Sequence, residues 1–251
     1  MSETQYFPSY KSLLSRPRIL DFLGAGDIKI DPFDLRNLGT TQYDVTLGVN
    51  FYREVPPNGR GLPTVAGGSV PVYNPFDKAV VLSNWSLQKA THHSTILEKC
   101  GWVQPLKNVG LDERVIMIRP GETILAHTNE FIGSDCNHIT TMMKARSSIG
   151  RNFLEVCKCA GMGDIGYCNR WTLEITNNSQ HYALPLVVGR RIGQLIFFET
   201  TPLGPEDKGY PQAGKYQATA DFEEMKANWT PEDMLPKQWL DREVLALTPE
   251  Q

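Results

Sequence analysis

The chain has no apolar run approaching the roughly 20 residues that a membrane-spanning helix needs. Its start, MSETQYFPSYKSLL, lacks the basic residues and apolar stretch of a secretory leader. The expectation is a cytoplasmic protein with no membrane partner. An excess of positive charge is also missing: 25 Lys and Arg stand against 28 Asp and Glu, a net charge of -3. No global field draws nucleic acid to such a chain, so nucleic acid is not an expected partner and any anion site must be local. A disulfide framework is absent as well. The five cysteines (100, 136, 157, 159 and 168) are odd in number and irregularly spaced, as expected of reduced thiols. Cys157, Cys159 and Cys168 fit no zinc spacing and read as core thiols. Internal repeats and low-complexity tracts are missing too.

What is present is ordinary globular composition, 41% hydrophobic and 21% charged, in a 251-residue chain long enough for one large domain or two small ones. Its 21 Gly and 17 Pro are spread along the chain and imply many turns between short elements. Residues 9–23 carry apolar positions near helical spacing, interrupted by Pro17. IKIDPF (28–33) and YDVTLGVNFYRE (43–54) read as strands, and residues 56–75, rich in Pro and Gly, as a loop. Between 79 and 118 the strand candidates are AVVL and RVIMI. From Pro120 on, TILAHT, HITTMM, FLEVCKCA, WTLEITN, YALPLVV and IGQLIFFET recur between turn residues, the pattern of an all-β sandwich or barrel. The chain then turns polar, with an amphipathic helix expected over PEDMLPKQWLDREVLAL.

Three segments concentrate chemistry. KARSSIGR (144–151) groups Lys144, Arg146 and Arg151 with Ser147 and Ser148; it suits a polyphosphate, or is a turn whose charges face water. AGMGDIGYCNRWTLEITN (160–177) leads from a glycine-rich turn bearing Asp164 into a strand bearing Glu174. Glu174 points away from Leu173 and Ile175, so it faces either water or a pocket that would raise its pKa. GRRIGQLIF (189–197) places Arg190 and Arg191 ahead of Gln194 on a core strand.

In this order, the segments resemble the family shared by dCTP deaminases and dUTPases. RSSIGR resembles its RSSxxR phosphate motif, AGMGDIGY its AGxIDPGW-like turn, TLEI its TLEL strand and GRRIGQLIF its PGMxIxQLxF strand. IKIDPFD, TQYDVTLGVNF and PGETILAHTNE resemble the deaminase patterns IxIxPF, SSxDVRLGxxF and PGEFxLAxTxE. The likeness runs from about residue 18 to 219, with gaps over the Pro/Gly loop and 79–118. Gly163, Ile165 and Asn169 depart from the family turn, which usually has an apolar residue, Pro and Gly there. Thr219 stands where the deaminase tail KYxxQ has Gln.

The resemblance implies an all-β, distorted jelly-roll barrel of the dUTPase-like type with short N- and C-terminal helices, assembled as a homotrimer with sites between subunits. Residues 1–204 would be the catalytic barrel, and 205–251 a tail that closes the site and continues into a helical extension. It further implies Glu174 as general acid/base, with Ser147 and Arg151 holding the attacking water. Ala160 would read the base through its backbone, and Asp164 would sit by the deoxyribose; in dUTPases its counterpart activates water against the phosphates. Arg146, Ser148, Tyr167 and Gln194 are implied as further substrate contacts, and Tyr210, Lys215 and Tyr216 as the segment folding over the phosphates. Mg²⁺ would arrive with the triphosphate rather than on protein ligands. Zinc is not expected, because the H-x-E…P-C-x-x-C signature of zinc deaminases has neither half here. The resemblance implies instead one carboxylate of raised pKa as the proton shuttle.

The function expected from the resemblance is therefore deamination of dCTP to dUTP and ammonia, in dTTP supply. The glycine-rich RGxxGFGSTG tail of dUTPases is absent and GKYQATADF stands in its place, which favours the deaminase. The alternatives are a bifunctional enzyme taking dCTP to dUMP and pyrophosphate, a plain dUTPase, and a non-catalytic trimeric nucleotide sensor. The altered turn also allows a 5-substituted cytosine as the base.

Overall fold

The computed structural model describes residues 12–57, 64–65, 68, 70–101, 104–158, 160–217 and 219–247. Its centre is one long strand, Thr123–Ser134, whose alternating Ile124, Ala126 and Ile132 are buried. The larger sheet runs Leu154–Val156, Cys168–Asn177, Thr123–Ser134, Asn50–Glu54, Trp85–Lys89, and Ile28–Asp31 also pairs with the long strand. A second sheet runs Met162–Gly163, Ile139–Ala145, Arg191–Glu199, Gln42–Thr46. A third joins Leu184–Val187, Arg114–Ile118 and Thr91–His92. All these pairings are antiparallel. Trp171, Leu173 and Ile175 of the larger sheet share one core with Tyr43, Val45, Met143, Leu195 and Phe197 of the second. The protein is thus mostly β, as its sequence implies; among the described residues the pairings do not close into a barrel.

The single strand expected over 43–54 is two strands in different sheets, Gln42–Thr46 and Asn50–Glu54. The chain turns at Gly48, whose backbone lies so close to His127 that an added Cβ would stand 2.0 Å from the imidazole ring. Only glycine lets the segment pass from one sheet to the other at that point.

Two helices lie in the 79–118 stretch, where the sequence offered strand candidates. AVVL lies in the helix Lys78–Asn84, because Asp77 accepts the amide hydrogens of Ala79 and Val80 and so caps the turn. A further helix, His93–Cys100, fills part of the 79–118 stretch. The N-terminal helix is Arg16–Ala25; Pro17 sits in its first turn, where it needs no hydrogen-bond partner, and does not interrupt it. The expected C-terminal amphipathic helix is broken into Pro231–Met234, Gln238–Leu240 and Arg242–Leu245, since Pro236 has no N–H to continue a helix. A helix, Phe222–Asn228, precedes them.

The C-terminal segment is nonetheless docked. Met234 and Leu235 are buried against Tyr52 and Leu125, and Met225 against Phe131 and Cys168. The lysine pairs Lys226–Asp31 and Lys215–Asp241 add ionic contacts at its margins. Within the 56–75 loop, Thr64–Val65 pairs with Val70–Pro71. Cys157 and Cys168 are buried free thiols, in line with the core reading; Cys159 lies outside the described residues. No helix among the described residues is long and apolar enough to cross a membrane.

Candidate active site

The strand Cys168–Asn177 sets the site. Its odd positions Trp171, Leu173 and Ile175 enter the core, so Arg170, Thr172 and Glu174 share the opposite face. A register shift between Arg170 and Thr172 marks a bulge, and the Trp171 amide released there donates to Thr128 Oγ1 at 3.0 Å. Trp171 Nε1 donates to the Ile132 carbonyl at 3.0 Å, which fixes the ring behind the strand.

Arg170, Thr172 and Glu174 line a cavity of about 360 Å³ together with Ala160, Asp164, Tyr167, Tyr210 and Tyr216. Five residues expected from sequence as substrate contacts are therefore brought to one place with Glu174. The Glu174 carboxyl is half-buried, and burial pushes its pKa up, opposed by the neighbouring Lys158 charge. A raised pKa brings a carboxyl closer to the range in which a side chain can both take and give protons.

The turn bearing Asp164 is held tight against the core. An added Cβ at Gly163 would meet Thr141 Oγ1 at 2.3 Å and the Trp171 ring at 2.6 Å, which explains glycine at a position where the family usually has an apolar residue. Asn169, the other notable departure, is buried and donates from Nδ2 to the Tyr216 carbonyl at 3.0 Å. It ties the tail to the strand. Gln217 adds a second tie, accepting the Cys168 amide at 2.9 Å. The Tyr210 amide donates to the Ile165 carbonyl at 2.9 Å, and the Tyr210 ring meets Tyr167 edge-on, with centroids 4.8 Å apart. Position 219, where the family tail has Gln, is Thr; Gln217 bonds the backbone of Cys168, Gly166 and Thr219.

A second cavity, of about 600 Å³, shares Met162, Asp164 and Tyr210 with the first and carries Lys208 and Lys215. Lys215 Nζ is ion-paired with Asp241, and the Lys237 amide donates to Tyr216 Oη at 3.1 Å. Asp164 is exposed and borders both chambers.

The KARSSIGR residues lie elsewhere. Ser147 and Ser148 form a single helical turn, Ser147–Gly150, and they and Arg151 are exposed outside the Glu174 cavity. Arg146 lines a separate groove of about 1280 Å³, its Nε 3.3 Å from Asp44 Oδ2, an oxygen it shares with Arg191 Nη1 at 3.0 Å. Gln194 pairs in register with Asp44 and Lys144 on the second sheet and does not line the Glu174 cavity. Within one chain, Glu174 and the Ser147, Ser148 and Arg151 group thus lie on different surfaces.

Sequence reasoning did not single out Arg170 or Trp229. The Arg170 guanidinium carbon lies 4.5 Å from the Phe131 ring centroid and 4.8 Å from that of Trp229. Trp229, Asp233, Met234 and Pro236 supply a wall of the Glu174 cavity from the C-terminal segment. Arg170 stood in the quoted motif; nothing in the local pattern marks Trp229, more than fifty residues further on.

Residues 80–200 match a family model described as dCTP deaminase-like. The chain is 31% identical over 213 residues to the protein named "dCTP deaminase, dUMP-forming" of Methanococcus vannielii, covering 79% of this chain and 85% of that one. A protein of the same name from Leptospira biflexa is 28% identical over 206 residues, covering 82% and 90%. Among solved structures, the 2'-deoxycytidine 5'-triphosphate deaminase of Agrobacterium tumefaciens superposes with a TM-score of 0.48 at 14% identity, over 75% of this chain and 48% of that chain.

Proposed function

The chain belongs to the dCTP deaminase family, and we propose that it hydrolyses dCTP to dUMP, pyrophosphate and ammonia, with Glu174 moving the protons of the deamination step. The product differs from the dUTP expected first from the sequence. The names of the relatives favour the dUMP-forming alternative, and the position of Asp164 between two chambers suits it.

The observation that carries the reading is Glu174, a half-buried carboxyl of raised pKa in a cavity of nucleobase size. With cytosine in that cavity, a water adds to C4. Glu174 takes one proton from that water and delivers it to N3, then takes the proton of the new C4 hydroxyl and delivers it to the amino group, and ammonia departs as the C4–N bond breaks and the C4 carbonyl forms. Such transfer contributes typically about 10²–10⁴-fold in rate. The triphosphate extends past Asp164 into the chamber of Lys208 and Lys215. A second water, served by Asp164, attacks the α-phosphorus, and the bond from that phosphorus to the β-bridging oxygen breaks. Two waters are consumed for one dUMP, one pyrophosphate and one ammonia.

Ser147, Ser148 and Arg151 come to this site from a second copy of the chain, within a homotrimer. Their exposure on a helical turn, away from Glu174 of their own chain, supports this arrangement. Among the described residues no group of three or more His, Cys, Asp or Glu side chains is placed to hold a metal ion. Mg²⁺ would arrive on the triphosphate, whose charge it would partly neutralise.

Product analysis tests the proposal. Purified protein with dCTP and Mg²⁺ should release ammonia and yield dUMP with pyrophosphate. Accumulating dUTP would remove the second step; no ammonia from dCTP or any 5-substituted dCTP would remove the deaminase reading altogether.

A further inference from the structure

We infer that Arg170 is a substrate-binding residue whose guanidinium reads the carbonyl oxygen of the pyrimidine base. The inference rests on the reading of the Glu174 cavity as a nucleotide site.

Arg170 is half-buried and lines that cavity, where it is the sole cation among the described lining residues. Its Nε donates to the Asn129 carbonyl at 3.2 Å. The Phe131 and Trp229 rings meet at 89°, and the guanidinium sits in the notch between them. Carbonyl and rings together fix the plane of the fork. Its two terminal nitrogens form no hydrogen bond or ion pair with any described residue. The Glu130 and Asp31 carboxylates attract this cation without bonding it, and its open edge suits charge-assisted bonds to a planar acceptor.

The layout of charge says which part of a nucleotide that is. Lys208 and Lys215 are in the neighbouring chamber, beyond Asp164, so the triphosphate belongs there and the base belongs with Arg170. Arg170 and Glu174 lie on the same strand face four residues apart, about 13 Å between Cα atoms. A six-membered ring with one hydrogen bond at each end spans about 10 Å. Glu174 takes the amino edge at C4, and the Arg170 fork takes the carbonyl at C2. That oxygen is conjugated through N3 with C4, so the same contact draws off part of the negative charge that builds on the ring as water adds. Trp229 acts through Arg170 and is a positioning residue.

Equilibrium binding decides the matter without turnover. In a Glu174→Gln parent, adding Arg170→Gln should weaken dCTP binding about 10- to 100-fold, while inorganic tripolyphosphate binds as before. Arg170→Lys keeps the charge and loses the fork; it should weaken dCTP in the same direction, and it serves where the Gln variant does not fold. Unchanged dCTP binding would overturn the role of Arg170, as would an equal loss for tripolyphosphate, which would place the contact on phosphate. If the parent itself binds no pyrimidine nucleotide, the nucleotide-site reading falls and the inference falls with it. Normal binding by parent and variant alike removes only Arg170.

Discussion

Gln217 and Cys168 are joined by a buried hydrogen bond, the Cys168 amide donating to Gln217 Oε1 at 2.9 Å. Gln217 Nε2 donates in turn to the carbonyls of Gly166 at 3.3 Å and Thr219 at 3.1 Å. The tail bearing Tyr210, Lys215 and Tyr216 is thereby fastened to the start of the strand that carries Glu174. Gln217→Ala leaves the buried Cys168 amide without a partner and should cost about 1–3 kcal/mol. Denaturant unfolding measures the loss, and nucleotide affinity should fall with it because the tail loosens.

Glu174→Gln keeps the shape of the side chain and removes its proton chemistry. Ammonia release should fall at least about 10²-fold. Triphosphate binding, measured by calorimetry, should stay within a few-fold of the parent.

The same variant has an expected pH signature. Burial raises the Glu174 pKa in the folded state, so the native protein holds this proton more tightly than the unfolded chain does. Its contribution to stability is complete below the ordinary carboxylate range and declines as pH rises through the raised value. Gln has no such decline. Glu174→Gln should therefore be more stable than the parent at neutral pH, with the difference shrinking to zero below about pH 4. Unfolding curves across pH check the convergence.

Mixing tests the shared site. Glu174→Gln and Arg151→Ala should each be inactive alone. If every site takes Glu174 from one subunit and Arg151 from its neighbour, unfolding and refolding the two together at equal amounts restores about a quarter of the sites. No recovered activity in reassembled oligomers would place both halves on one chain.

Gly48→Ala addresses the fold. The added methyl would meet the His127 ring, which is buried with its pKa pushed down to about 4 by desolvation. Overpacking of this kind costs about 1–3 kcal/mol, and the variant's thermal midpoint should drop accordingly.

Much of this molecule is legible in its sequence, and the illegible part has a physical pattern. Alternation alone places Trp171, Leu173 and Ile175 in the core and Glu174 on the other face. Of the turn, Gly163 and Asp164 line the cavity. Contacts between distant segments are another matter. Nothing near Gly48 announces His127, so one strand was expected where two sheets part. The helix over AVVL turns on a single cap at Asp77, which outweighs the β-preference of two valines. Gln217 sits two residues from the position searched, and its role depends on an amide forty-nine residues away. The notch that holds Arg170 requires Trp229 to return along the outside of the sheet, which only docking of Met225, Met234 and Leu235 provides.

That return path has an optical consequence. Trp229 is half-buried at the wall of the Glu174 cavity, 4.9 Å from the His127 ring centroid and beside the Arg170 guanidinium. Its indole borders the space a ligand would fill, and the buried Trp171 ring lines the same cavity from the core side. Filling the cavity changes the solvent and the charge next to Trp229, one of the five tryptophans of the chain. Ligand binding should therefore alter the intrinsic emission of the protein, and Trp229→Phe should diminish that change.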